Sequence, residues 1–272
     1  DPARELGGDL YEFLAPEPNQ FVVAVGDVSG KGVPAALYSV FAGEVVRGRT
    51  FRRRVTREVA GPGALLTVIN RILHERQLEE YYCTLCYAQF DLRQHTVTMA
   101  NSGLPFPIRC TADGAESQQI VMPGVPLGSF GTTTYEEVVL PAEKGDIFVF
   151  CSDGISETFN EAGAELGSGP VADVVRANRD KPAAEIVEKI FETMSEFRGA
   201  APQTSARISS SQGLAFSSEK TWTPAGRPRS RASKRAKAVS GSAVLPSAFS
   251  SEGISAVRSS RARGLRVAAM RP

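Results

Sequence analysis

The sequence changes character at residues 202–205, and this change limits which part of the chain can build a hydrophobic core. Residues 1–199 carry 28 Asp and Glu against 18 Lys and Arg, a formal net charge of −10. Residues 200–272 carry 2 acids against 13 bases, a net charge of +11, and are rich in Ser, Arg, Ala and Gly. A composition of this kind without a helical or strand period is typical of disorder. We therefore expect a folded domain over residues 1–203 and a basic, disordered tail over residues 204–272.

The apolar runs of the domain are short, which argues against a membrane-spanning helix. The longest are about five residues, as in Phe21–Val25 and Ile147–Cys151, whereas a spanning helix needs roughly 20 apolar residues. No charged-then-apolar secretory leader opens the chain, so we expect a cytoplasmic protein. Because the chain begins at Asp1 rather than Met, we also expect it to be part of a longer protein.

Two helices are predicted after a first strand at Phe21–Val25, which is a short β-branched run. The first helix begins near Pro34, whose fixed φ suits a first turn, and continues for three or four turns. Its apolar face is predicted from spacings of three and four at Leu37, Val40, Phe41 and Val45. The arginine-rich segment Arg47–Arg57 is predicted to be a solvated connector. A second helix is predicted from Pro62 to about Gln77.

After this helix the period changes to that of strands, and helices return only near the end of the domain. The predicted strands are Tyr82–Asp91, Thr96–Ala100, Pro105–Cys110, Tyr135–Leu140 and Asp146–Cys151. The first three are expected to form an antiparallel meander with a tight turn at Leu92–His95. Two more helices are predicted at about Pro170–Asn178 and Pro182–Phe197. This order favours an α+β layered fold with antiparallel sheets over a doubly wound parallel sheet.

The pair Cys83-x-x-Cys86 is typical of zinc or redox sites, but it lies in a predicted strand. Residues three apart in a strand point to opposite faces of the sheet. A zinc site would also need a second ligand pair, which His74 and His95 are not spaced to supply. We therefore predict buried cytosolic thiols.

Three aspartates lie beside glycines at the ends of predicted strands or in a glycine-rich turn. Asp27 ends one apolar run, Asp153 follows another, and Asp9 follows a double glycine. Strand ends are rigid, and glycine allows the backbone to approach a ligand closely. Carboxylates with no His or Cys nearby are hard oxygen ligands that suit Mg²⁺ or Mn²⁺. From spacing alone, a divalent metal site and ordinary Asp-Gly turns both stay open.

Longer strings around these aspartates resemble the metal-dependent protein phosphatases (PPM, type 2C), specifically their bacterial SpoIIE/RsbU-like branch. In family order they are Glu5–Phe13 (ELGGDLYEF), Gly26–Leu37 (GDVSGKGVPAAL), Tyr82–Ile108, Gly124–Gly128 (GVPLG) and Asp146–Glu157 (DIFVFCSDGISE). The second string is the most specific, and the resemblance covers residues 3 to about 203. It implies a four-layer αββα sandwich, in which two antiparallel sheets lie face to face with helices outside.

The resemblance also implies a centre of two Mn²⁺ or Mg²⁺ ions at one end of the sandwich. Transferred by motif, Asp27 would bridge both ions, with the Val28 carbonyl as a further ligand. Asp153 would hold one ion, and Asp9 would bind or orient water on the metals. These three aspartates are the expected catalytic residues, and Gly26 and Gly154 would shape the corner. The implied reaction is direct hydrolysis of phosphoserine or phosphothreonine by activated water.

The implied partner is a phosphorylated regulatory protein, often an anti-anti-sigma factor in a partner-switching circuit. The 13 positive charges of the tail allow salt-dependent, non-specific nucleic-acid binding, but we do not expect nucleic acid to be the selected partner. Family members also often carry a sensor domain before the catalytic domain, which fits a chain that begins without Met.

Two other interpretations of the same residues fail on spacing. A Walker loop needs Gly-x₄-Gly-Lys-Ser/Thr, which Gly26–Gly32 does not match. A Ser-His-Asp hydrolase needs a Gly-x-Ser-x-Gly elbow, which is absent around Ser152.

The sequence departs from the family where the last metal ligand is expected. Family members normally carry Asp-Asp or Asp-Asn there, followed by Met/Ile-Thr and an apolar strand, but Ser205–Ser211 contains no acid. Our hypothesis is that the residues from about Thr204 are an out-of-frame reading of the last strand, which sequencing of the encoding DNA tests. Because ligand count and charge set metal affinity, the alternative function is a catalytically impaired pseudophosphatase that still binds its partner.

Overall fold

A computed structural model describes the protein over residues 8–30, 32–56, 61–76, 81–201, 257–259 and 266–270. Across these ranges no helix has both the length and the apolar character that a membrane crossing needs. The elements are β1 (Asp9–Glu17), β2 (Gln20–Val28), α1 (Gly32–Thr56), α2 (Pro62–Glu75), β3 (Cys83–Asp91), β4 (Thr96–Asn101), β5 (Ile108–Cys110), β6 (Ser117–Gln119), β7 (Val138–Pro141), β8 (Ile147–Phe150), α3 (Asp153–Ser156), α4 (Gly169–Ala177), α5 (Ala183–Arg198), β9 (Val257–Ser259) and β10 (Arg266–Met270).

The strands form two antiparallel five-stranded sheets. The first has the order β1-β2-β3-β4-β7 and the second the order β6-β5-β8-β10-β9. One apolar cluster lies between the first sheet and helices α1 and α2, and a second lies between the two sheets. A third lies between the second sheet and helices α4 and α5. The predicted αββα sandwich is thereby confirmed.

The two apolar runs are strands that are buried on both faces. In β2, Val22 and Ala24 pack towards the helices, while Val23 and Val25 pack towards the second sheet. In β8, Phe148 and Phe150 pack between the sheets, and Ile147 and Val149 pack towards α4 and α5. Side chains alternate along a strand, so a strand covered on both faces must be apolar throughout.

The same alternation separates the two cysteines of the Cys-x-x-Cys pair. Cys83 belongs to the cluster on the helix side of the first sheet, and Cys86 belongs to the cluster between the sheets. All four cysteines of the chain are thiols, and three of them are buried. The predicted placement of these two thiols, buried and on opposite faces of the sheet, is confirmed.

The strand pairing differs from the predicted meander in two respects. The sequence analysis does not predict β1, yet this strand pairs with β2 along most of its length. The third predicted strand, Pro105–Cys110, shortens to Ile108–Cys110 and pairs with β8 in the second sheet instead of continuing the first. The loop before it contains Gly103 at a φ of 93° and two prolines, which carry the chain from one sheet to the other.

Helix α1 differs from the prediction in both length and orientation. It continues to Thr56, so the predicted connector Arg47–Arg57 is wrong for all but its last residue, which lies outside the described ranges. Of the predicted apolar face, Phe41 and Val45 pack partly buried against the core, whereas Leu37 and Val40 are 66% and 64% exposed. The buried positions of the helix include Ala35, Tyr38, Ala42, Val46 and Thr50. The small alanines allow the helix to pack closely on β1 and β2, and Thr50 reaches the hydroxyl of Tyr87 at 3.0 Å.

The second sheet is extended by two short strands from the predicted tail. β10 pairs with β8, with Ala268 opposite Phe150, and β9 pairs with the outer edge of β10. An unpaired β8 edge would leave backbone groups without partners, and the segment Arg266–Met270 supplies them. The structure therefore differs from the expectation of a disordered tail at these eight residues. The rest of the tail, 204–256, 260–265 and 271–272, lies outside the described residues.

Candidate metal and phosphoester site

The first sheet brings two of the predicted acids together. Asp9 at the start of β1 and Asp27 near the end of β2 are direct cross-strand partners. Directly opposed residues lie on one face of an antiparallel pair, with their Cβ atoms roughly 5 Å apart. Both side chains are buried, at 8% and 6% exposure. This face is the one that packs on the second sheet, so the two carboxylates lie at one end of the layer between the sheets.

The second sheet supplies the third acid. Asp153 begins α3, three residues after β8 ends, and its side chain is half-buried. It lines the same cleft as Asp27. Asp27 from the first sheet and Asp153 after a strand of the second sheet therefore line one cleft.

The cleft has a volume of about 800 Å³ and an uneven distribution of charge. Three of the described residues that line it are acids. No described lining residue is Lys, Arg or His. Such a cleft attracts cations and repels anions. Its lining consists of Asp27, Thr84, Gly103, Leu104, Pro105, Phe106, Gln119, Pro123, Gly124, Asp153, Ser156 and Glu157.

Two residues of this end of the molecule are absent from the sequence-based site, Tyr82 and Glu157. Burial, and then the negative charges of Asp27 and Asp153, raise the pKa of Tyr82 to about 12, so its phenol is neutral near pH 7. Glu157 lies one helical turn after Asp153 and donates its N–H to the Asp153 carbonyl at 2.9 Å. An (i, i+4) spacing places both acids on one side of the turn, which is a signal the sequence does contain.

The backbone at Tyr82 is fixed by the turn that follows β2. The Tyr82 N–H donates to Ser29 Oγ at 2.9 Å, and the Ser29 N–H donates to the Tyr82 carbonyl at 2.9 Å. Thr84 Oγ1 donates to the Asp27 carbonyl at 3.2 Å. The end of β2 that carries Asp27 is therefore tied to the start of β3 by side-chain as well as ladder hydrogen bonds.

Val28 is the last residue of β2 and contributes to the site only through its backbone. Its side chain is fully buried on the helix side of the sheet, and its N–H donates to the Gly8 carbonyl at 3.1 Å. The Val28 carbonyl as a metal ligand stays a prediction.

Close backbone approach explains two of the glycines at this corner. A Cβ on Gly26 would lie 2.6 Å from the Thr84 carbonyl oxygen, and one on Gly8 would lie 2.3 Å from the Val28 carbonyl oxygen. Both distances are below any normal contact, so only glycine fits. A Cβ on Gly154 would meet nothing within 4 Å. The predicted shaping role therefore fits Gly26, but packing does not require glycine at Gly154.

The donors of the site suit a hard divalent cation in kind, but few of them are close together. Carboxylate oxygens without nitrogen or sulfur ligands favour Mg²⁺ or Mn²⁺. Within the ranges that the structure describes, no three His, Cys, Asp or Glu side chains lie close enough to hold one ion. Asp9 and Asp27 form one pair, and Asp27 and Asp153 share the cleft. The described acids thus fit part of a coordination shell.

Part of the cleft lining is built by two loops that Asn101 holds together. Its buried amide donates to the Leu104 carbonyl at 2.7 Å and to the Met122 carbonyl at 3.1 Å. Its side-chain carbonyl accepts from the Leu104 N–H at 3.2 Å. A Cβ on Gly124 would lie 2.1 Å from the Asn101 carbonyl oxygen, so the second loop lies directly against the first.

The architecture is that of solved PP2C-type phosphatase domains. The chain is similar to the PP2C domain of SiaA from Pseudomonas aeruginosa, with a TM-score of 0.62 and 23% identity over 74% of this chain and 78% of that one. It is also similar to the PP2C domain of SpoIIE from Bacillus subtilis, with a TM-score of 0.59 and 20% identity over 71% and 55% of the two chains. At these identities the likeness shows the fold alone.

The sequence model of the family "Stage II sporulation protein E (SpoIIE)" matches residues 17–204, and the chain belongs to this family. The resemblance drawn from its motifs is thereby confirmed. Among curated relatives, phosphoserine phosphatase RsbU of Bacillus subtilis is 24% identical over 193 residues, covering 71% of this chain and 55% of that protein. Phosphoserine phosphatase RsbP of the same organism is 23% identical over 194 residues, covering 70% and 45%. The chain spans about half the length of these relatives.

Proposed function

We propose that this protein hydrolyses phosphoserine or phosphothreonine on a phosphorylated regulatory protein, with Mn²⁺ or Mg²⁺ held by its aspartates. The observation that carries the proposal is the charge of the cleft, which has three carboxylates and no cationic side chain among its described lining residues. A phosphate monoester carries about two negative charges near pH 7 and would be repelled there. Only bound cations make such a cleft a phosphate site.

In this proposal the residues of the site have different roles. Asp9, Asp27 and Asp153, with the Val28 carbonyl, hold the ions at the end of the intersheet layer. When bound, the ions supply charge neutralisation and lower the pKa of water. Burial and the charges of Asp27 and Asp153 keep the Tyr82 phenol neutral near pH 7, so it adds no further negative charge to this end of the molecule. The rigid β2 corner keeps Asp27 in place, and preorganisation of this kind is what metal sites require.

The relatives support the choice of substrate and setting. RsbU and RsbP are both named phosphoserine phosphatases. By resemblance to their branch, we infer that the substrate is a phosphorylated regulatory protein of a partner-switching circuit, such as an anti-anti-sigma factor. We also infer a cytoplasmic location, because disulfides are rare in reducing compartments and all four cysteines are thiols.

Hydrolysis of p-nitrophenyl phosphate with and without Mn²⁺ tests the proposal. We expect Mn²⁺-dependent turnover that Asp27→Ala reduces by about 100-fold or more, since a metal ligand matters at least as much as its supporting shell. The matched control is Asp173→Ala, an exposed aspartate of α4, which should keep the rate within about twofold. If calorimetry shows no Mn²⁺ uptake and no hydrolysis is seen, the proposal is rejected.

A second candidate function is a catalytically impaired pseudophosphatase that still binds its phosphoprotein. It is favoured by the strand that completes the second sheet, since β10 reads Arg-Val-Ala-Ala-Met and contains no acid. β10 begins at Arg266 and pairs with β8 from Ala268 to Met270, so it brings no carboxylate to this edge of the second sheet.

Replacing this arginine separates the two functions. If the chain is impaired for lack of an acid, Arg266→Asp should tighten Mn²⁺ binding and raise the hydrolysis rate by about tenfold or more. Arg258→Asp on β9 makes the same change of charge one strand further out and should have little effect. Equal rates for Arg266→Asp and the unchanged chain at saturating Mn²⁺ would count against impairment.

A further inference from the structure

Two chemically different groups of residues line the cleft. The first is the acids Asp27, Asp153 and Glu157, and the second, which we call the apolar end, is Pro105, Phe106 and Pro123. Phe106 is half-buried and Pro123 is exposed. Water in contact with apolar surface is unfavourable, at roughly 25 cal/mol per Å², so an apolar ligand group is favoured there. The apolar end is continuous with the acids, within one cavity.

The apolar end is also rigid. Pro105 and Pro107 fix φ on either side of Phe106. The three hydrogen bonds of the Asn101 side chain hold this loop to the loop that carries Pro123. A preformed surface loses little conformational entropy when a ligand binds, so its apolar area contributes more fully to affinity.

We propose that this apolar end, formed by Pro105, Phe106 and Pro123, binds a large apolar side chain next to the phosphorylated residue of the substrate. The inference rests on the proposed function, because the acids define where the phosphoester lies. It narrows the substrate class to phosphopeptide segments in which a residue beside the phosphoserine is large and apolar.

The charge of the cleft disfavours ligands that carry carboxylates beside the phosphoserine. Glu157 lines the cleft one helical turn after Asp153, and no described lining residue is cationic. A ligand carboxylate there would meet a like charge with no compensating partner, and uncompensated charges are a strong source of discrimination. Phosphopeptides with acidic residues beside the phosphoserine should therefore bind weakly.

Two phosphoserine peptides of nine residues, with Leu or with Asp on both sides of the phosphoserine, test the proposal. Binding to the full chain is measured by fluorescence anisotropy at saturating Mn²⁺. We expect the Leu peptide to bind about tenfold or more tightly than the Asp peptide. Phe106→Ala should weaken the Leu peptide about five- to tenfold and leave the Asp peptide within twofold. Phe106→Leu, which keeps an apolar side chain, should recover most of the loss.

Phe130→Ala is the matched control, since Phe130 is 63% exposed and does not line the cleft. It should change neither peptide, and thermal unfolding establishes that each variant is folded. Equal affinity for the two peptides, equal loss of both in Phe106→Ala, or binding of neither overturns the subsite. The p-nitrophenyl phosphate assay then separates the cases, because Mn²⁺-dependent turnover there leaves the proposed function standing, and its absence removes both.

Discussion

The two sheets of the sandwich support the candidate site in different ways. In the first sheet, β1, β2 and β3 are nine residues long, and β2 and β3 are paired along all nine positions. In the second sheet the strands have three to five residues, and the sheet is completed by β10 from the end of the chain. Asp9 and Asp27 thus lie on the extensively paired sheet, and Asp153 follows a strand of the sparsely paired one.

The two parts of the candidate site therefore depend on different interactions, namely backbone hydrogen bonds in one sheet and side-chain packing in the other. The first sheet is held by long ladders and by close backbone packing at its glycines. The second sheet relies more on side chains, namely the cluster beneath α4 and α5 and a buried ion pair. We therefore expect mutations in the second sheet to act through side-chain anchors, and mutations in the first to act through backbone fit.

The largest effect is expected at the ion pair that anchors the second sheet. Asp146 is 1% exposed and accepts from Arg109 Nη2 at 2.7 Å and Nε at 3.1 Å, and from the N–H groups of Ala112 and Glu143. Asp146→Ala leaves Arg109 without its partner in a mostly buried position, which costs about 3–5 kcal/mol of unfolding free energy.

The control for this prediction is an exposed ion pair of the same sheet's helices. Asp173 and Arg176 have side chains that are 69% and 51% exposed, so Asp173→Ala should cost about 0–1 kcal/mol. Urea unfolding of both variants gives the comparison. Similar losses in the two would show that the buried pair is not an anchor.

The next effect tests backbone fit at the corners that carry Asp27 and Asp153. Gly26→Ala places a methyl group 2.6 Å from the Thr84 carbonyl oxygen, and such overpacking costs about 1–3 kcal/mol. Gly154→Ala meets nothing within 4 Å and lies in a helical turn, where Ala is favoured over Gly by about 0.5–1 kcal/mol. The midpoint temperature of thermal unfolding should fall for Gly26→Ala and rise for Gly154→Ala. An equal destabilisation of the two variants would remove the contrast between the sheets.

A smaller and local effect is expected when the second sheet loses its last strands. In a chain that ends at residue 203, β8 lacks the partner that β10 provides. Each net hydrogen bond contributes about 1 kcal/mol, so amide exchange in Ile147–Phe150 should speed up by about tenfold or more. Exchange in Val22–Val25 serves as the internal control and should not change. Faster exchange in both segments would mean that the sheets open as one unit.

The smallest effect concerns pH at the β3–β4 turn of the first sheet. Burial would raise the pKa of Asp91, but hydrogen bonds from the Gln94 N–H, the Gln20 side chain and the Arg93 N–H bring it below its ordinary value of 3.8. A lowered acid pKa stabilises the fold above pH 3.8, and this contribution is lost as the pH falls through the folded-state pKa. As the pH is lowered below 3.8, the free energy of unfolding of the unchanged chain should therefore fall by a few tenths of a kcal/mol more than that of Asp91→Asn. Acid unfolding of the two variants measures this difference.

The sequence predicts well those elements whose signals are local. The apolar runs at Phe21–Val25 and Ile147–Cys151 and the helices near Pro62 and Pro182 carry their own start, stop and period. The three aspartates were found because each lies in a short motif beside glycine. Their meeting at one end of the sandwich follows from the family resemblance and not from the period of the sequence.

The sequence does not predict features that depend on packing between distant segments. Helix α1 is apolar on more than one side, so the choice of Tyr38 and Val46 over Leu37 and Val40 is made by the sheet beneath it. The same holds for Tyr82, which reaches the site because β3 pairs with β2. The interpretation of Arg47–Arg57 as a connector failed because arginines are good helix formers whose charge says nothing about the backbone.

The pairing of β10 with β8 also sets an order of events during synthesis. Ala268 and Phe150 are far apart along the chain, whereas β1, β2, β3 and β4 are joined to their neighbours by much shorter segments. Contacts between distant segments form late, and a nascent chain folds from its beginning. The Asp9–Asp27 pair can therefore assemble early, and the corner that holds Asp153 gains the support of β10 only after that much later segment has been synthesised.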